Sequence, residues 1–240
     1  MRIGGLQKMT LLDYPGRVAC TVFLPGCNFR CPFCHNTPLV LGGGEDIPEE
    51  EFFRFLEKRR GLLDGVAVTG GEPLLQPELE GFLRRIRALG FLVKLDTNGA
   101  FPARLQALLK AGLVDYVAMD IKNRPEKYEA TAGVPVRLDD IRQSAAFLIA
   151  GSTDYEFRTT VVDELHEPED FAAIGAWLAG AKRYFLQEFV DSGNILSAGM
   201  HAASREKMEQ CLAAARRGIP AAQLRGEQEG NDVSGRKEKR

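Results

Sequence analysis

The chain has 240 residues, 45% of them hydrophobic and 27% charged, with a formal net charge of −2. That is ordinary globular composition, with apolar material for one large domain or two small ones. The near balance of charge, with no long block of one sign, excludes the electrostatic footprint of a nucleic-acid or membrane-surface binder.

The opening residues lack the apolar core and small-residue cleavage site of a secretion signal, and the longest apolar runs are strand-sized. A cytoplasmic location without a membrane span is expected. Read in chain order, strand-like runs fall at residues 18–24, 66–69, 92–96, 116–122, 156–162 and 184–189. Each is followed by a helical pattern. The first opens at Pro48, with Glu49, Glu50 and Glu51 in its first turn. The second starts near Pro77, carries Leu79, Phe82, Leu83 and Ile86 on one face, and stops at Gly90. The third runs from Pro102 to Gly112, and the later ones cover 139–149, 168–178 and 204–216. Six β-then-α units in a row imply parallel strands joined by right-handed crossovers. Periodicity alone leaves a doubly wound sheet and an incomplete barrel open. Residues 1–225 make one expected domain; residues 226–240, with no aromatic and Val233 as the lone aliphatic, are expected to be a disordered polar tail.

The five cysteines are Cys20, Cys27, Cys31, Cys34 and Cys211. An odd count without a secretion signal argues against a disulfide framework. Cys20 falls in the first strand, and Cys211 shares a helical face with Met208, Leu212 and Ala215, so both read as core. The other three lie in Gly26-Cys27-Asn28-Phe29-Arg30-Cys31-Pro32-Phe33-Cys34-His35-Asn36. Closely spaced soft thiolates on one loop can wrap a cubane. A [4Fe–4S] cluster usually takes four cysteines, and three leave one iron open to a ligand other than protein. The competing reading is a zinc-binding module, with His35 as fourth ligand of a Cys₃His site. Crowding of all four donors into one loop, with His35 directly after Cys34, counts against it.

Polar residues gather where later strands end. The second strand ends Thr69-Gly70-Gly71-Glu72-Pro73, where two glycines permit close backbone approach to a ligand and Glu72 adds an acceptor. The third ends Asp96-Thr97-Asn98-Gly99 and the fourth Asp120-Ile121-Lys122, with Asp120 and Lys122 on one side by the two-residue period. Lys122 suits a substrate carboxylate. Arg158, inside an apolar run of the fifth strand, needs a partner when buried, and a bidentate carboxylate is a candidate. Gln187 ends the sixth strand, placed to read a ribose or base edge. Function-bearing residues at the C-terminal ends of all six strands favour a barrel rim over a single switch point. His166 and His201 read as loop or surface residues, and Trp177 lies beside the apolar stripe of its helix.

The Cys-x₃-Cys-x₂-Cys spacing, with the aromatic Phe33 before the last cysteine, resembles the signature of the radical S-adenosylmethionine (SAM) superfamily. The resemblance implies a partial (β/α)₆ TIM-like barrel of parallel strands, one [4Fe–4S] cluster on Cys27, Cys31 and Cys34, and SAM as cosubstrate. It assigns Gly70, Gly71 and Glu72 to the methionine amino group, and Asp96, Thr97 and Asp120 to a monovalent cation site beside it. Phe33, His35, Ile121, Lys122, Arg158 and Gln187 complete the expected contacts, Lys122 being counted with the cysteines as catalytic.

Three segments narrow the resemblance to glycyl-radical-enzyme activases: Leu12-Asp13-Tyr14-Pro15-Gly16, Cys34-His35-Asn36, and Glu126-Lys127-Tyr128 followed by Gly133. The stretch Tyr155-Glu156-Phe157-Arg158-Thr159-Thr160-Val161-Val162 looks most like the longer-type activating proteins of anaerobic ribonucleoside-triphosphate reductase. Tyr14 stands where formate-lyase activases usually show Gly, their cosubstrate-holding His after the fifth strand has no clear equivalent, and no cysteine-rich insert follows Cys34. The implied activity is reductive cleavage of SAM to methionine and a 5′-deoxyadenosyl radical, which takes a hydrogen from a glycine of a partner enzyme. Flavodoxin or ferredoxin is the implied electron donor; neither nucleic acid nor membrane is an expected partner. The alternatives are a pyruvate formate-lyase-type activase and a small-molecule radical enzyme such as a 7-deazaguanine-forming synthase.

Overall fold

The structure is a computed structural model that describes residues 1–191 and 193–225. The tail expected after residue 225 lies outside the described residues. In chain order the elements are β1 (Gly5–Thr10), β2 (Ala19–Leu24), α1 (Thr37–Val40), α2 (Glu49–Glu57), β3 (Gly65–Gly70), α3 (Leu79–Ala88), β4 (Leu92–Thr97), α4 (Pro102–Lys110), β5 (Tyr116–Asp120), α5 (Tyr128–Ala132), α6 (Leu138–Ala150), β6 (Asp154–Val161), α7 (Pro168–Trp177), β7 (Tyr184–Glu188), α8 (Arg205–Arg216) and β8 (Ala222–Leu224). One sheet takes them in the order β1 to β8. β1 runs antiparallel to β2, and every other neighbouring pair is parallel. No helix among the described residues is long and apolar enough to cross a membrane.

The six expected strands are β2 to β7. β1 and β8 are additions that the sequence hid. β1 has three exposed residues in its six-residue run, and β8 is only three residues long. Neither carries the buried β-branched run that marks a parallel strand covered on both faces.

Alternation along the strands separates two environments. In β4, Val93 and Leu95 are fully buried against the helices, while Lys94 and Asp96 point the other way. β6 repeats the pattern, with Phe157 outward and Glu156 and Arg158 inward. The helices cover the outer face through apolar stripes. α3 buries Leu79, Phe82, Leu83 and Ile86, and Phe82 stacks on Phe52 of α2 with ring centres 5.3 Å apart. Each such side chain contributes about 1.5–3 kcal/mol of burial.

The inner faces decide between the two architectures. Gln7 of β1, Thr21 and Phe23 of β2, Asp96 of β4, Arg158 of β6 and Gln187 of β7 all line one cavity. Side chains from strands that far apart can share a cavity only if the sheet curls, so this is an incomplete barrel, open between β1 and β8. At the N-terminal end of the strands, the buried Glu156 carboxylate accepts from Tyr116 Oη at 2.8 Å and Arg225 Nη2 at 2.5 Å.

His166 departs from expectation. It is fully buried: Nδ1 accepts the Val162 N–H at 3.1 Å, and Nε2–H donates to the Lys122 carbonyl at 2.9 Å. Burial holds its pKa below the usual histidine value, so the ring is neutral and serves as a clamp between the chain segments after β5 and β6. His201 is exposed as expected and pairs with Glu164, while Trp177 packs edge-on against Tyr128. Cys20 and Cys211 are both fully buried.

Candidate active site

The cavity has a volume of about 440 Å³ and opens at the C-terminal ends of the strands. Cys27, Cys31 and Cys34 line it together, with Phe33 and His35 from the same loop. The loop is tied down from three sides. Gly26 N–H donates to Leu39 O at 2.7 Å, Arg30 N–H to Ala132 O at 2.8 Å, and Ser197 N–H to Pro32 O at 2.9 Å. Within it, Arg30 Nη1 donates to the carbonyls of Cys27 and Phe29 at 2.7 and 2.8 Å. Phe29 N–H approaches Cys27 Sγ at 3.4 Å, a donor suited to a thiolate. Phe33 is buried and meets Phe189 edge-on at 6.4 Å. His35 is exposed.

The two glycines after β3 have a more specific reason than close approach to a ligand. Gly70 sits at φ +118°, a conformation L side chains avoid, and an added Cβ would stand 2.4 Å from Leu24 backbone atoms. A Cβ on Gly71 would meet Gly26 O at 1.9 Å. The end of β3 therefore runs flush against the cysteine loop, stitched by Gly71 N–H to Leu24 O and Glu72 N–H to Gly26 O, both 2.8 Å. Asn36 Nδ2 adds a bond to Gly70 O at 3.1 Å. Gly71→Ala is expected to push the loop off β3, lower stability by about 2–4 kcal/mol and cut iron uptake on anaerobic reconstitution. Gly81→Ala in α3, whose Cβ meets nothing within 4 Å, is the control. It should hold full iron and gain about 0.5–1 kcal/mol in urea unfolding.

Two of the expected contacts do not face the cavity. Glu72 is turned away from the cavity and buried, where it accepts from Leu74 N–H at 3.0 Å, Thr97 Oγ1 at 2.8 Å and Asn98 N–H at 2.7 Å. Burial pushes its pKa up to about 7, against the pull of those three donors. It fastens the end of β3 to the end of β4. Ile121 is wholly buried in the core, since the alternation that puts Asp120 and Lys122 inside turns the residue between them outward.

The remaining rim residues meet. Arg158, expected to await a substrate carboxylate, already has two from the protein: Nε donates to Asp120 Oδ1 at 2.9 Å and Nη1 to Asp96 Oδ2 at 3.3 Å. Lys122 Nζ donates to the other Asp120 oxygen at 3.1 Å. Asp96, expected at a cation site, takes Lys94 Nζ on its other oxygen. Burial alone would raise the two carboxyls, but Arg158 with Lys94, and Arg158 with Lys122, outweigh it and hold both well below the usual range. In turn the carboxylates overcome burial and keep Lys122 and Arg158 charged at any ordinary pH. Thr97 and Gln187 also line the cavity.

Asn98 was missed. Its Nδ2 donates to Asn28 Oδ1 at 2.8 Å and lies 4.0 Å from Cys27 Sγ, so β4 reaches the cysteine loop through it. The signal was its place beside Asp96 and Thr97. Lys94 was missed as well, although a lysine within an aliphatic strand, two residues before Asp96, marked it.

The donor set tests which metal group fits. Among the described residues, no three His, Cys, Asp or Glu side chains converge on a point that a single ion would occupy. A cubane takes soft thiolates from one closely spaced loop, and Cys27, Cys31 and Cys34 line one cavity together. Burial lifts the Cys31 thiol to about 11, so it is a thiolate only with a metal bound.

Known proteins agree with this geometry. The family model of the radical SAM superfamily matches residues 21–160. A Methanocaldococcus jannaschii protein named as a glycyl-radical enzyme activating enzyme is 31% identical over 192 residues, 78% of this chain and 79% of its own. The pyruvate formate-lyase-activating enzyme of Clostridium pasteurianum is 35% identical over 128 residues, 51% of this chain and 52% of its own. The solved structure of Streptococcus suis SuiB bound to S-adenosylmethionine superposes with a TM-score of 0.66 over 86% of this chain and 52% of that one; at 13% identity the likeness concerns the fold. With three thiols and a charged rim around one cavity of an open barrel, and a family match across more than half its length, the chain belongs to the radical SAM superfamily, in its group of glycyl-radical enzyme activating enzymes.

Proposed function

We propose that this chain installs a glycyl radical on anaerobic ribonucleoside-triphosphate reductase, drawing its electron from flavodoxin or ferredoxin. The observation that carries the choice of partner is β6. Its Tyr155-Glu156-Phe157-Arg158-Thr159-Thr160 sequence resembles the activating proteins of that reductase, and Arg158 is the centre of the rim's charge network.

When bound and reduced, a [4Fe–4S] cluster would supply the electron for cleavage of SAM to methionine and a 5′-deoxyadenosyl radical. Cys27, Cys31 and Cys34 would hold three of its irons and leave the fourth to the cosubstrate. Lys122 and Arg158 give the rim the positive potential that draws the methionine carboxylate. The backbone carbonyls of the 70–71 turn are acceptors for the methionine ammonium, and Gln187 offers its amide to the nucleoside. Val190, 70% exposed at the cavity edge, gives an apolar landing for a loop of the partner protein.

The test is anaerobic. The reconstituted chain, reduced flavodoxin and SAM are mixed with candidate partners and followed by electron paramagnetic resonance. The expected result is a glycyl-radical doublet with the reductase and none with pyruvate formate-lyase. A doublet only with formate-lyase would reassign the partner. Deoxyadenosine release with a small heterocycle, and no protein radical, would sink the activase reading.

A further inference from the structure

Lys94 stands in β4 between Val93 and Leu95, with only 2% of its side chain exposed. A buried ammonium persists only where a carboxylate pairs with it. Its partner is Asp96 Oδ1, and the two begin a row of five charged groups in unbroken alternation. Lys94 meets Asp96, Asp96 meets Arg158, Arg158 meets Asp120 and Asp120 meets Lys122. Three cations against two anions leave one net positive charge, and Lys122 carries the end of the row to the cavity wall. Each oxygen of the two carboxylates has a protein cation beside it.

That arrangement bears on the cation site expected at these two aspartates. A soluble monovalent cation beside Asp96 would find the charge position filled. We propose that Lys94 is a built-in cation: its tethered ammonium supplies the positive charge beneath the cosubstrate, so SAM binding here is independent of K⁺ and Na⁺. The ammonium is close to K⁺ in size and charge, and tethering makes its presence beside Asp96 independent of the salt in solution. Lys94 is a positioning residue in this scheme. It acts through Asp96 and Arg158 and does not line the cavity. The inference rests on the reading of the cavity as a SAM site.

Anaerobic equilibrium dialysis of SAM against the reconstituted enzyme, in K⁺, Na⁺ or choline at constant ionic strength, tests it. Wild type is expected to bind within about twofold in all three salts. Lys94→Met, which drops the row to zero net charge and strips one Asp96 oxygen, should bind about tenfold more weakly in choline, about 1.4 kcal/mol. It should recover in K⁺. Lys94→Arg should stay salt-indifferent. Melting temperature gives a readout apart from turnover: K⁺ should raise that of Lys94→Met over choline and leave wild type unchanged. A tenfold loss of wild-type affinity in choline would overturn the proposal even if the variant fails to fold. So would a folded, iron-replete Lys94→Met with no response to K⁺. Absence of SAM binding in every salt would instead remove the cosubstrate reading, and the proposal with it.

Discussion

Cys31→Ala is expected to abolish the cluster's charge-transfer absorbance and its paramagnetic signal, and to lower SAM cleavage at least about 100-fold, the upper end of what losing even an outer-shell partner of a metal costs. Cys27→Ala and Cys34→Ala should do the same, because a cubane held by two thiolates is lost on handling. The contrast lies within the chain. Cys20 and Cys211 are equally reduced in form, yet both are sealed in the core at zero exposure. Cys20→Ala should keep full iron and sulfide and cost only about 1 kcal/mol of stability, as the loss of one buried heavy atom does. Iron and sulfide analysis of the four alanine variants, purified anaerobically, checks both halves. Zinc without sulfide in the wild type, or iron loss in Cys20→Ala, would break the assignment.

How much of this was legible before the fold is a matter of which forces act locally. The six parallel strands could be read because each is a short β-branched or aromatic run closed by Gly, Pro or a helix cap, and those preferences are written residue by residue. β1 could not, because its pairing with β2 (Gly5 against Phe23, Leu6 against Val22) is a tertiary choice by a half-exposed segment. The rim residues could be placed at strand ends, but not aimed. Glu72 and Asp96 are both acids at such ends; Gly70 at φ +118° turns the chain so that one faces the backbone of β4 while the other stays in the lumen. Ile121 could have been excluded by the same two-residue period that joined Asp120 to Lys122. His166 carried no such signal, since nothing in a loop histidine foretells that its two nitrogens will bridge Val162 and Lys122.

Arg158→Leu is expected to be the most damaging change on the rim that leaves the cysteines intact. Arg158 is 15% exposed and bonds both aspartates at once, so its loss removes the one partner they share. Breaking a buried ion pair from one side costs about 3–5 kcal/mol, because the abandoned charge stays desolvated. Asp120 is a third exposed and solvent screens it, so the lower end, about 3 kcal/mol, is expected at neutral pH. The pH dependence identifies the cause. In wild type the two carboxyls are held below their ordinary values, so their stabilisation is fully present at neutral pH and is lost only as pH falls through the folded-state values. Without Arg158 each carboxyl keeps one cation, Lys94 at Asp96 and Lys122 at Asp120, and its folded-state value rises from where Arg158 held it. The variant then takes up protons in the folded state at a higher pH than wild type does, so its deficit shrinks as pH falls through those raised values. A deficit caused by lost packing would stay flat over that range. Urea midpoints of wild type and Arg158→Leu at several pH values decide between them. SAM affinity should fall with stability and not return with acid, since protonation returns positive charge to the row but not the Arg158 guanidinium that lines the cavity.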